Sequence, residues 1–107
     1  MSTEKINKYV AKGKLNKLIA IADGKDADLA KAAIMAMAQI KKDESFNYLV
    51  VNLRNKNKEL RLAAIEALGN IGFERGKSHL THIADTETDQ EIAAAARAAY
   101  IKLADAK

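Results

Sequence analysis

The stretch LRLAAIEALGNIG, residues 60–72, sets alanine where an apolar helical stripe has room for larger side chains, and it ends on a pair of glycines. The skeleton occurs twice more, in LAKAAIMAMAQI from Leu29 and IAAAARAAYIKL from Ile92. Six slots agree, at relative positions 0, 3, 4, 7, 8 and 11. They hold Leu29, Ala32, Ala33, Ala36, Met37 and Ile40, then Leu60, Ala63, Ala64, Ala67, Leu68 and Ile71, then Ile92, Ala95, Ala96, Ala99, Tyr100 and Leu103. That spacing marks one face of an α-helix. Three of the six slots are alanine in every copy, so the same close approach to a neighbour is made three times.

A second element runs between these helices. LNKLIAIAD (15–23), FNYLVVNLR (46–54) and KSHLTHIAD (77–85) align at an offset of 31, which superposes Leu18, Leu49 and Leu80. Leu15 coincides with Phe46, and Ala22 with Leu53 and Ala84. One residue is inserted in the DTETD turn before the last alanine copy. A period in this range denotes stacked two-helix units, none able to bury its apolar face alone.

The punctuation agrees. Asp26 and Asn57 fall at N-cap positions one period apart, Thr88 and Glu91 have capping-box spacing, and Asp43 stands where it can cap the helix through Phe46. Gly13, Gly24, Gly69, Gly72 and Gly76 lie at or near helix ends, and Gly69 with Gly72 is expected to tighten an exit turn. The chain has no proline and no cysteine, which removes disulfides, thiolate metal sites and cysteine nucleophiles. No segment alternates as a strand does.

Bulk properties bound the class. A chain of 107 residues suits one domain, and 49% apolar with 30% charged residues is a globular balance. Aromatics are only 5%, which favours closely packed helices over a sheet. No apolar run approaches the ~18–20 residues that span a bilayer, and the amino terminus has no uninterrupted signal-peptide core. A cytoplasmic protein without a membrane partner is expected. The net charge is +4, unevenly placed: residues 1–61 hold 13 Lys/Arg against 7 Asp/Glu, and residues 62–107 hold 5 against 7.

The chain resembles the short bacterial HEAT-like repeats of the phycobilisome-lyase (PBS lyase) type, whose pattern is x-V-R-x-A-A-x-x-A-L-G-x-I-G. LRLAAIEALGNIG matches it closely, and the other two copies match its apolar skeleton. The resemblance covers nearly the whole chain. It implies an all-α, right-handed α-solenoid of antiparallel helix pairs, with the second helix of each pair lining the concave side. The family's arginine is present as Arg61, while Ala30 and Ala93 stand in its slot elsewhere. Tetratricopeptide and ankyrin signatures are missing.

The expected organisation is a single domain, 1–107, of about three and a half repeats and seven helices. It comprises a truncated first unit at 3–23, repeats at 26–54 and 57–85, and a capping helix at 89–105. In the first unit Ile6 aligns with Met37 and Tyr9 with Ile40. Arg97 occupies the slot of Ile34 and Ile65, as befits a terminal face that meets water, so the array reads as complete.

No catalytic, cofactor or metal residue is assigned. His79 and His82 lie three apart on one helix, with Asp85 and Glu87 near, but the stronger zinc motif with an intervening glutamate is missing. Asp85, Glu87 and Asp89 alternate as a calcium loop begins, yet Gln90 and Ala96 hold the places of its glycine and glutamate. Ser45 and Ser78 have no nucleophile elbow. No enzyme is expected.

Slots that vary between copies are free for function. Along the second helices these are Lys17, Tyr48 and His79, then Ala20, Val51 and His82 one turn later, with Asn16, Asn47 and Ser78 beside them. Lys17, Tyr48, Val51, His79, His82, Asn16 and Asn47 are therefore the candidate partner-binding residues. Tyr48 is expected to be the exposed anchor. The primary reading is a non-catalytic scaffold that binds a protein or peptide on its concave face. The alternative is nucleic-acid binding through Lys5, Lys8, Lys12, Lys14 and Lys17, with Tyr9 the aromatic nearby. The chain is expected to be a monomer or weak homo-oligomer, with Ile6 and Tyr9 able to mediate association if left exposed.

Overall fold

The computed structural model describes residues 3–105. Among them are seven α-helices and no strand: α1 (Thr3–Ala11), α2 (Leu15–Ala22), α3 (Ala27–Met37), α4 (Asp43–Asn52), α5 (Lys58–Ile71), α6 (Gly76–Thr86) and α7 (Gln90–Asp105). The three alanine copies are α3, α5 and α7, and each begins on a side chain that satisfies its orphan amides. Asp26 accepts from the Leu29 N–H (3.1 Å), Asn57 from the Glu59 and Leu60 N–H groups (2.9 and 3.4 Å), and Asp89 from those of Glu91 and Ile92 (2.9 and 3.3 Å).

The odd-numbered helices pack in chain order, α1 on α3, α3 on α5 and α5 on α7, while α2, α4 and α6 lie mainly against the odd helix that follows each. This is an α-solenoid in which two layers share one continuous core. Ala33, Ala64 and Ala96 are fully buried in the odd layer, and Leu18, Leu49 and Leu80 are fully buried beneath the even one. A leucine sealed in this way contributes about 1.5–3 kcal/mol relative to exposure.

The glycine pair divides its labour. Gly72 ends α5 in the left-handed region, with φ +80°, a conformation that costs glycine little. Gly69 lies inside α5, where an added Cβ would stand 3.1 Å from both the Cα and the Cβ of Ala99. It serves the crossing of α5 and α7, not the exit turn.

Side chains join successive units. Arg61 donates to the carbonyls of Asn55 (2.9 Å) and Lys56 (3.4 Å), closing the α4–α5 turn. Lys31 pairs with Glu59 (3.5 Å), and Lys58 bridges Asp89 (2.9 Å) and Glu91 (2.8 Å). The bonds to Glu91 and then Asp89 hold the Lys58 ammonium well above the usual lysine range, and Lys58 in turn pulls the Asp89 carboxyl down. Pairs so exposed add little stability singly. The Arg75 guanidinium lies 4.4 Å from the Phe46 ring centre and 5.0 Å from that of Phe73, and pairs with Asp43 at 2.7 Å.

Several sequence expectations change. The α7 cap is Asp89, not Thr88, because the residue inserted in the turn moves the helix start by one. Asp43 is the first residue of α4 and caps nothing; its carboxylate is held by Arg75. Tyr100, in the slot of buried Met37 and Leu68, is instead 38% exposed. Arg97 is exposed, as expected. Ile6 is buried and Tyr9 half-buried against the core, so neither is left open for self-association.

Ser45 is fully buried, and its hydroxyl lacks a hydrogen-bond partner. Its slot is that of Gly76 one period later, where an added Cβ would lie 3.3 Å from Leu103 Cδ2. The slot selects for small size, and the hydroxyl is an unpaired passenger. Ser45→Ala is therefore expected to raise stability by about 1 kcal/mol in denaturant unfolding. Asp89→Ala should lower the melting temperature by several degrees while Thr88→Ala leaves it nearly unchanged, which separates the two capping assignments. Because the Asp89 carboxyl is held down in the folded state, its contribution is present above the usual carboxylate range and fades as pH falls through it.

Candidate functional site

The slots that vary between copies lie along α2, α4 and α6, and the structure divides them. Val51, Ser78, His79 and His82 line one cleft between α4 and α6, of about 740 Å³. Half-buried Val50, Leu53 and Ile83 supply its apolar part, and Arg54 and Glu87 add one charge of each sign. Val51 is 69% exposed there, and among the described residues only Tyr100 and Ile101 join it as exposed large apolar side chains. Lys17 belongs elsewhere. It lines a shallow depression with Tyr9, Ala20 and Ile21, and shares another with Asn16, Lys14 and Lys42 at the starts of α2 and α4. Asn47 is exposed on α4.

Tyr48 is not the exposed anchor expected. It is half-buried, and its hydroxyl donates to the Asp23 carboxylate at the end of α2. Burial first, and the Asp23 bond second, push its pKa from the ordinary 10.0 to about 12. Tyr48 is thus a strut between α2 and α4. The signal was available in part: Asp23 shares its repeat slot with Arg54 and Asp85, at the end of each even helix. His79 is also partly committed, its ring centre 6.1 Å from that of Phe46. His82 is exposed.

The Ser78 hydroxyl donates to the Arg75 carbonyl (3.4 Å), a helix bond and not one to either histidine. Among the described residues, no three His, Cys, Asp or Glu side chains gather as a metal site. Of the calcium-like run, Asp89 caps α7 and Glu87 accepts from the Asp89 N–H (3.2 Å). The lysines of the nucleic-acid reading, Lys5, Lys8, Lys12, Lys14 and Lys17, are exposed. Tyr9, the aromatic beside them, packs on the core instead of standing free to stack on a base. Sequence spacing missed Val50, Leu53 and Ile83, because half-buried apolar residues at helical spacing read as core.

The strut has a titration of its own. A tyrosine with folded pKa near 12 and unfolded value near 10.0 stabilises the fold fully below pH 10, and that contribution is lost as pH rises through 12. Tyr48→Phe should remove the latest step from a tyrosinate absorbance titration and flatten the alkaline fall of the melting temperature between those limits. It should also weaken the fold at neutral pH by about 1 kcal/mol, the size of one hydrogen bond.

No helix among the described residues is long and apolar enough to cross a membrane. Searches among curated proteins and among solved structures find no match. A family model described as HEAT repeats matches residues 15–101, from the first residue of α2 to near the end of α7. With that match over most of the chain, and two layers of helices repeating at 31 residues, the protein belongs to the HEAT-repeat family.

Proposed function

We propose that this chain is a non-catalytic scaffold of the phycobilisome-lyase-like HEAT type, acting in the cytoplasm, and that it holds a segment of a partner protein along the even-helix face. The groove between α4 and α6 is its main contact. Val51 carries the reading: a β-branched side chain 69% exposed beside an apolar cleft is what a partner would cover. HEAT repeats commonly mediate protein–protein interaction, and a stacked array offers a surface that needs little ordering on binding. The apolar strip of Val50, Leu53 and Ile83, edged by Arg54, Glu87 and the two histidines, suits an amphipathic peptide better than a bare charged one. Lys17, Asn16 and Asn47 extend the surface along α2 and α4, and Tyr48 holds those helices in register from beneath.

Peptides selected from a displayed random library on the immobilised protein provide the test. Val51→Asp should weaken their binding at least about tenfold, the cost of setting a carboxylate against an apolar contact, with the melting temperature unchanged. Binders indifferent to both Val51→Asp and His82→Ala would place recognition elsewhere. Tyr48→Ala should instead lower the melting temperature, as loss of a strut requires.

A further inference from the structure

Helix α7 buries Ile92, Ala96, Ala99 and Leu103 against the core and turns Arg97, Ala98, Ile101 and Asp105 to solvent, with Ala104 half-buried at the edge. Ile101 is 60% exposed. In α3 and α5 the slot of Arg97 holds Ile34 and Ile65, both buried. In α7 that slot carries a guanidinium in solvent, so this face differs from the ones that α3 and α5 bury.

The run from Arg97 to Asp105, RAAYIKLAD, is symmetric about Ile101. Ala98 and Ala104 stand three residues to either side, and Arg97 and Asp105 four. Offsets of three and four share a helix face, so all five lie on one stripe. Arg97 and Asp105 are about 12 Å apart along the axis, too far to pair within one helix. The neighbouring Lys102 ammonium is directed to the Asn70 side chain.

We propose that this stripe recognises a second copy of the chain, α7 lying antiparallel on α7 about a two-fold axis through Ile101. Ile101 then meets Ile101, each Ala98 meets an Ala104 and allows close approach, and each Arg97 meets an Asp105. An isologous interface needs self-complementarity of this kind. A parallel arrangement would set arginine on arginine. The occupant is a second copy because its charges fall opposite their complements at both ends of the stripe. Nine residues of one helix bury less than the ~1,200 Å² of a stable interface, so the dimer is weak and forms with rising concentration.

Sedimentation equilibrium of the intact protein, from micromolar to millimolar, tests this with charge reversals at exposed positions. Wild type should gain apparent mass with concentration. Arg97→Glu alone sets glutamate against Asp105, and Asp105→Arg alone sets arginine against Arg97, so each should stay monomeric with unaltered circular dichroism and melting temperature. Mixing the two single variants should restore association, since both contacts between unlike copies are then attractive, and the double variant R97E/D105R should associate as wild type does. A wild type monomeric into the millimolar range overturns the proposal. So does association untouched by either single reversal, or a mixture that gains no mass.

Discussion

The backbone approach between α3, α5 and α7 is the constraint on which everything else rests. Alanine at the shared slots, and glycine where α5 meets Ala99, fix how near these helices come. Spacing in that layer is therefore set by atoms that have no rotamers to rearrange, which makes the stack stiff. The even helices meet through long side chains instead, Tyr48 reaching Asp23 and Phe46 lying near His79. The α4–α6 cleft is a product of that difference between the two layers.

Much of this architecture was legible in the sequence, because the alanine slots repeat at helical spacing and the leucines at 18, 49 and 80 recur with the same period. What escaped was local. Thr88 and Asp89 are both good caps, and only the backbone course after the inserted residue decides between them. Asp43 has the chemistry of a cap but begins its helix one residue too late, and Arg75 from the next turn takes its carboxylate. Periodicity names the slot; it does not name the partner that arrives from another unit.

The candidate site was half legible for a related reason. Comparison between copies picked Val51, His79 and His82, and the fold brings them to one cleft. The same comparison picked Tyr48, which the fold turns inward to Asp23. A slot that varies is free of the repeat's own packing, yet it can still be claimed by one specific bond to a neighbour. The apolar residues of the cleft stayed hidden, since a helix facing a groove and a helix facing a core carry the same pattern.

The position of α5 bears on how such a chain diverges. It touches α3, α4, α6 and α7, and Arg61 near its start closes the turn that leads into it. It is also the copy of the three that carries an arginine at its second slot and glycines at both 69 and 72, while α3 and α7 share its apolar skeleton alone. Both α3 and α5 pack against four other helices, whereas α7 packs against α5 and α6, so α7 is the copy in which substitution disturbs the stack least.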